Sequence, residues 1–110
     1  MDILIKSAVI VDNNSNLNGQ KMDILIEKGI IVKIAKSIKN SGNYKEISYP
    51  DLHVSIGWFD FRANFCDPGN EHKEDFTSGL KAAALGGFTG VVAMPDTYPT
   101  IDSKSGIEYV

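Results

Sequence analysis

Gly57-Trp58-Phe59-Asp60-Phe61-Arg62-Ala63-Asn64-Phe65-Cys66-Asp67-Pro68-Gly69 carries the strongest fold signal in the chain. With Ile56 ahead of it, the run through Phe61 is nearly all apolar, as a strand buried on both faces requires. Asp67-Pro68-Gly69 then supplies a loop. Downstream, Phe76, Leu80, Ala83 and Ala84 recur at i, i+4, i+7 and i+8, with Lys73, Asp75, Ser78 and Lys81 free to face water. That period predicts a helix over residues 73–85. Glu71, Glu74 and Asp75 near its start suit the positive end of the helix dipole, and Gly86-Gly87 provides a stop in which a glycine enters the left-handed region. Phe88-Thr89-Gly90-Val91-Val92-Ala93-Met94 reads as a second buried strand, ended by Pro95. Strand, helix and strand with short links form a βαβ unit with parallel strands. Functional residues in such sheets sit just beyond the carboxyl ends of the strands, so residues 62–67 and 95–98 are expected on one rim.

Upstream of this unit the chain changes character. Residues 2–11 alternate, with Ile3, Ile5, Ala8 and Ile10 as inward candidates, and residues 22–28 and 30–35 repeat the pattern through Met22, Ile24, Ile26, Ile30, Val32 and Ile34. Asn13 to Asn16 and Asn18-Gly19 form a polar turn, and Lys28-Gly29 a tight hairpin turn. Residues 36–45 are polar and lose the period. Ile47 and Tyr49 form a brief further strand before Pro50 interrupts the ladder. The expectation is a small antiparallel sheet over residues 1–53 with a structural role, followed by the βαβ unit over residues 54–110.

Composition narrows the classes of function. The chain has 110 residues, 43% hydrophobic and 23% charged, with a formal net charge of -3 and no basic stripe, which argues against nucleic acid or an anionic membrane as partner. No apolar run approaches the ~18 residues needed to span a bilayer. A single cysteine offers no internal disulfide, so a cytoplasmic, reducing compartment is expected.

Residues 57–102 resemble the N-terminal part of a dihydroorotase of the amidohydrolase superfamily, close to the multifunctional-complex type. The family pattern is Gly-Phe-Ile-Asp-x-His-Val-His-x-Arg-(Glu/Asp)-Pro-Gly, against which this chain places Gly57 to Gly69 without a gap. Lys73-Glu74-Asp75, Gly86-Gly87-Phe88-Thr89 and Met94-Pro95-Asp96-Thr97-Tyr98-Pro99 continue the match. The resemblance implies the start of a TIM-barrel (β/α)8 metal-dependent hydrolase fold, preceded by half of a small β-sandwich module. A closed barrel needs about 250 residues, so truncation of a longer protein is expected.

In the family, two histidines bind zinc at the end of the first barrel strand, an arginine two residues later pairs with the substrate carboxylate, and the asparagine of Met-Pro-Asn contacts the same substrate. The corresponding positions here are Arg62, Asn64, Cys66 and Asp96. Arginine has only donors and a fixed charge, and asparagine offers a weak neutral oxygen, so neither replaces an imidazole on Zn²⁺. Asp60 and Cys66 are ligands in isolation, but their places along the strand and loop do not reproduce the histidine geometry. Asp96 adds negative charge where a carboxylate substrate should bind. Arg62 is expected to pair with Asp96 or Asp67, and Phe65 and Tyr98 to fill the rim formed with Asp60, Asp67 and Thr97. His53 is assigned to a linker and His72 to a surface turn. Cys66 is either a thiol made reactive by Arg62 or a buried, uncharged one.

The resemblance therefore implies a dihydroorotase-like protein of pyrimidine biosynthesis that lacks zinc and hydrolytic activity and serves a structural or regulatory role. By the same resemblance its partner would be aspartate carbamoyltransferase, in a homo- or hetero-oligomer. Two alternatives stay open. One is an active zinc-dependent dihydroorotase that opens the cyclic amide of dihydroorotate to N-carbamoyl-aspartate. The other is a small-ligand binding module.

Overall fold

Strand β1 (Ile3–Val11) runs through the middle of the first of two units, Met1–Ile56 and Gly57–Val110, into which the chain divides; the computed structural model describes residues 2–110. In the first unit β2 (Lys21–Glu27) pairs antiparallel with one edge of β1, and β3 (Ile30–Ala35) pairs antiparallel with β2. Lys28 and Gly29 both have positive φ, at 51° and 80°, which is the twist a two-residue hairpin between right-twisted strands needs. β4 (Lys45–Ile47) and β5 (His53–Ser55) pair parallel with β1, β4 along Ile3 to Ile5 and β5 along Val9 to Val11. The expected antiparallel sheet is thus a mixed five-stranded one. His53, expected in a linker, lies in β5, where its Nδ1 is 2.6 Å from the carbonyl oxygen of Asp51. Tyr49 lies outside the strands and is exposed.

The alternation in β1 shifts phase because of a bulge. Ile5 pairs with Ile24 but Ala8 pairs with Met22, so β1 advances three residues while β2 advances two, and Ser7 sits at φ 53°. Ile10, Met22 and Ile24 form the buried cluster, with Ile5, Leu17, Ile26 and Val54 packed against it. Leu4, which precedes Ile5 and therefore points to the opposite face, is fully buried, although the alternation assigned that residue outward. On the same principle Asp23, between Met22 and Ile24, projects away from the cluster. It is 2% exposed. Among the expected inward residues, Ile30, Val32 and Ile34 lie exposed on edge strand β3.

In the second unit β6 (Trp58–Ala63) and β7 (Phe88–Ala93) pair parallel, in register Trp58 with Phe88 and Ala63 with Ala93, and α1 (Phe76–Leu85) connects them. The helix starts three residues later than its period suggests. Asp75 is its N-cap: its carboxylate accepts the Ser78 N–H at 2.7 Å while Ser78 Oγ accepts the Asp75 N–H at 3.1 Å, a reciprocal cap that fixes the first turn. The acidic residues thus precede the first turn. Gly87, at φ 86°, ends the helix, its N–H bonded to the Ala84 carbonyl at 3.1 Å. The inward face also differs from expectation. Leu80 is 48% exposed and Gly79 is buried, because a Cβ at Gly79 would collide with the ring of Phe65.

Trp58, Phe59 and Phe61 are 63%, 53% and 78% exposed, so β6 is not buried on both faces as its composition predicts. A two-stranded sheet gives each strand one neighbour and leaves the apolar side chains uncovered. A short second helix, α2 (Lys104–Tyr109), follows Ser103, whose Oγ accepts the Gly106 N–H at 3.2 Å.

Candidate functional site

The rim at the carboxyl ends of β6 and β7 is built by two loops. As β6 ends, Asp60 Oδ1 accepts the Arg62 N–H at 2.8 Å, fixing the backbone while leaving the Arg62 guanidinium exposed. Asn64 follows the strand. Its Oδ1 accepts the N–H of Cys66, a residue at φ 62°, at 3.4 Å, and its Nδ2 donates to Asp96 Oδ2 at 3.0 Å. Two positions that the family resemblance assigns to a metal ligand and a substrate contact are therefore bonded to each other.

Arg62 makes no ion pair among the described residues, so its expected pairing with Asp96 or Asp67 is overturned. Both carboxylates are otherwise engaged. Asp96 accepts from Asn64, and Asp67, 7% exposed, accepts the Tyr109 hydroxyl at 2.8 Å through Oδ1 and the Phe76 N–H at 3.4 Å through Oδ2. Asp67 thus joins the β6 loop to the first turn of α1 and to the end of α2. The hydrogen bond to Asp67, with the carboxylate's charge, raises the Tyr109 phenol above its ordinary pKa.

Of the two aromatic groups expected to fill the rim, Phe65 is buried, its ring centroid 5.2 Å from that of Phe76. Tyr98 is 82% exposed and fills nothing; its contribution is backbone, its N–H donating to the Pro68 carbonyl at 3.0 Å. Thr97 is buried, with Oγ1 donating to the Pro99 carbonyl at 2.8 Å. Cys66 is a free, partly exposed thiol.

The sequence assigns Tyr109 no role at the rim, marks Gly69 only as part of a loop and points Glu71 at the helix dipole. Glu71 accepts the Gly69 N–H at 2.8 Å, and that bond holds its carboxyl below the usual range, so it serves the loop and not the helix dipole. Gly69 has φ 106°, and a Cβ there would run into the Tyr98 carbonyl oxygen. The Asp-Pro-Gly tripeptide signals the turn, but the residue it meets lies on the other loop. Beside the rim, Pro68, Pro99, Ile101, Ser103 and Tyr109 are among the residues lining an open cleft of about 420 Å³.

The donor set does not fit a divalent cation. No group of three or more His, Cys, Asp or Glu side chains among the described residues is placed to hold one. Arg62 brings only donors, and the Asn64 carboxamide is committed at both ends.

Comparison with known proteins bears on the origin of this arrangement. No family model matches the chain. It is 45% identical over 108 residues to a dihydroorotase of Sulfurihydrogenibium sp. (strain YO3AOP1), an alignment covering 98% of this chain and 25% of that protein. It is 41% identical over 109 residues to one from Acetivibrio thermocellus, covering 98% of this chain and 25% of that protein. The chain is homologous to part of these dihydroorotases. It spans about a quarter of the length of these dihydroorotases. Among solved structures, an L-hydantoinase (dihydropyrimidinase) from Arthrobacter aurescens superposes with a TM-score of 0.75 at 19% identity, over 98% of this chain and 24% of that one. At that identity the likeness is one of fold, a mixed α/β arrangement rich in strands. No helix among the described residues is long and apolar enough to cross a membrane.

Proposed function

We propose that this chain is a dihydroorotase-like segment of pyrimidine biosynthesis that has lost hydrolytic activity and serves a structural or regulatory role. The observation that carries the reading is the bond between Asn64 and Asp96, which spends on itself the position where an imidazole should meet zinc. Residue 62, which the resemblance sets against the other imidazole, carries a guanidinium with only donors and a fixed positive charge, which cannot ligate a cation. Asp96 adds negative charge where the family takes a carboxylate, and repulsion between like charges disfavours that substrate.

On this reading β6, α1 and β7 are the first βαβ unit of a TIM barrel. The parallel pairing and the superposition on the hydantoinase support that placement. Residues 1–53 contribute half of a composite β-sandwich. The partner favoured by the resemblance is aspartate carbamoyltransferase, within a cytoplasmic assembly. Exposed Trp58, Phe59 and Phe61 give such a protein apolar surface to cover, inside a longer chain or against a neighbour.

The test is elemental analysis of the intact protein together with a dihydroorotate hydrolysis assay. The expected result is no stoichiometric zinc and no turnover above background. Zinc bound at one equivalent, together with turnover, would overturn the reading in favour of an active dihydroorotase.

A further inference from the structure

The loops after β6 and β7 meet at three points of independent chemistry. One is the side-chain bond from Asn64 Nδ2 to Asp96 Oδ2 at 3.0 Å. The second is a backbone bond from the Tyr98 N–H to the Pro68 carbonyl at 3.0 Å. The third is steric: at Gly69 the two loops approach so closely that a Cβ would strike the Tyr98 carbonyl oxygen.

The Asn64 carboxamide is oriented for its part. The Cys66 N–H, two residues on, donates to Oδ1 and leaves Nδ2 to face Asp96. Reversing the amide would set an NH2 against an N–H and an oxygen against a carboxylate, so the contacts themselves choose the orientation. Asparagine is suited to this place because one short group carries both an acceptor and a donor. Neighbouring Arg62 has no acceptor and cannot do the same.

We propose that Asn64 and Asp96 close a ligand-independent clasp, which holds the two rim loops together without an ion or substrate. The inference rests on the functional reading above and names how that site is kept shut. While the clasp is closed, the Asn64 carboxamide is unavailable to a ligand and the Asp96 charge opposes anions at the same corner. A ligand entering there has to break the Asn64–Asp96 bond first.

The experiment follows hydrogen exchange at the Tyr98 amide in the full-length protein, with and without excess EDTA. It compares the unmodified protein with Asn64→Ala, Asp96→Ala, the double variant, Asp96→Asn and Asn64→Asp. Both side chains are exposed, so the alanine variants are expected to fold. Each single alanine change should speed exchange about two- to tenfold, the range of one net hydrogen bond. The double variant should be no faster than the faster single. Asp96→Asn, which keeps an acceptor oxygen, should retain most of the protection. Asn64→Asp, which sets two carboxylates face to face, should lose at least as much as Asn64→Ala, and EDTA should change nothing.

Exchange unaffected by either alanine change, or a double variant equal to the product of the singles, would overturn the clasp. The zinc and turnover measurements are made on unmodified protein, so the two ideas fail separately. An uncoupled cycle in a zinc-free, inactive protein sinks only the clasp, whereas a coupled cycle in a zinc-bound, active one sinks only the loss of catalysis.

Discussion

The ammonium of Lys6 is paired with the carboxylate of Asp23 at the bulge of β1, and the same carboxylate accepts the N–H groups of Ser7 and Ile38 at 2.8 Å each. Lys6 also donates to the Ile38 carbonyl at 2.9 Å, so one buried acid ties the bulge to the segment that leaves β3. Burial by itself raises the Asp23 carboxyl. The hydrogen bonds from Lys6, Ser7 and Ile38 outweigh it and leave the pKa below the ordinary value. A depressed folded pKa gives stability that is present above the unfolded value of about 3.9 and is lost as pH falls through the folded one. Asp23→Ala removes the counter-charge of a largely buried ammonium and the acceptor of two N–H groups, and should cost about 3 kcal/mol. Urea denaturation at neutral pH measures that loss. The same titration repeated below about pH 4 should show the gap between variant and parent closing.

Gly79 illustrates packing that a helix propensity scale misjudges. Gly79→Ala gains about 1 kcal/mol of helix propensity, but the added methyl enters space held by the Phe65 ring, at about 1–3 kcal/mol for overpacking. The net expectation is a loss of about 1 kcal/mol in equilibrium unfolding. Leu80→Ala, at an exposed position one residue on, should change stability by no more than about 0.5 kcal/mol. The opposite order would return the helix face to the one its apolar period suggests.

Those two residues also mark what the sequence makes legible. Apolar runs, the glycine stop and the short links disclose strand, helix and parallel strand, and Lys28-Gly29 discloses a hairpin, because each depends on neighbours in the chain. The inward face of α1 is hidden because its buried residue has no side chain to enter a hydrophobic pattern. The mixed sheet is hidden because β4 and β5 add to an edge of β1 that local alternation does not specify. At the rim, the residues that the resemblance sets against metal positions, 62 and 64, and a substrate position, 96, can be picked out in the sequence, yet their partners cannot. Charge alone points Arg62 at Asp96 and Asp67, whereas the short amide of Asn64 and the phenol of Tyr109 hold those acids. Asn64 and Asp96 are 32 positions apart and Asp67 and Tyr109 are 42 apart, distances over which spacing carries no information.

Tyr109 gives the rim an alkaline signature. Its phenol donates to Asp67 and is raised above the ordinary value of about 10. A raised folded pKa contributes stability that is complete below the unfolded value and disappears as pH climbs through the folded one. Ultraviolet titration should therefore show Tyr109 ionising later than Tyr49 and Tyr98, together with Tyr44, whose hydroxyl donates to Glu27, and Tyr109→Phe should remove one of the two late ionisations. The variant should also melt at a lower temperature near neutrality, with the difference shrinking at strongly alkaline pH. A Tyr109 that ionises together with Tyr49 and Tyr98 would contradict the bond to Asp67.

Gly69 is where the rim tolerates change least. Its φ of 106° lies in a region that L side chains rarely adopt, and the direction a Cβ would take is filled by the carbonyl oxygen of Tyr98. That neighbour is backbone, held in place by the Tyr98 N–H bond to Pro68, so it cannot swing aside as a flexible side chain would. Strain of this kind costs about 1–3 kcal/mol for the backbone alone, with the contact in addition. Gly69→Ala should accordingly destabilise the protein by about 3 kcal/mol or separate the two loops. Exchange at the Tyr98 amide tells these outcomes apart: faster exchange with little loss of global stability means the loops have parted, and unchanged protection with a lowered denaturation midpoint means the strain is carried intact. A variant as stable as the parent, with Tyr98 as well protected, would show that the approach of the two loops is looser than 3.0 Å bonding implies.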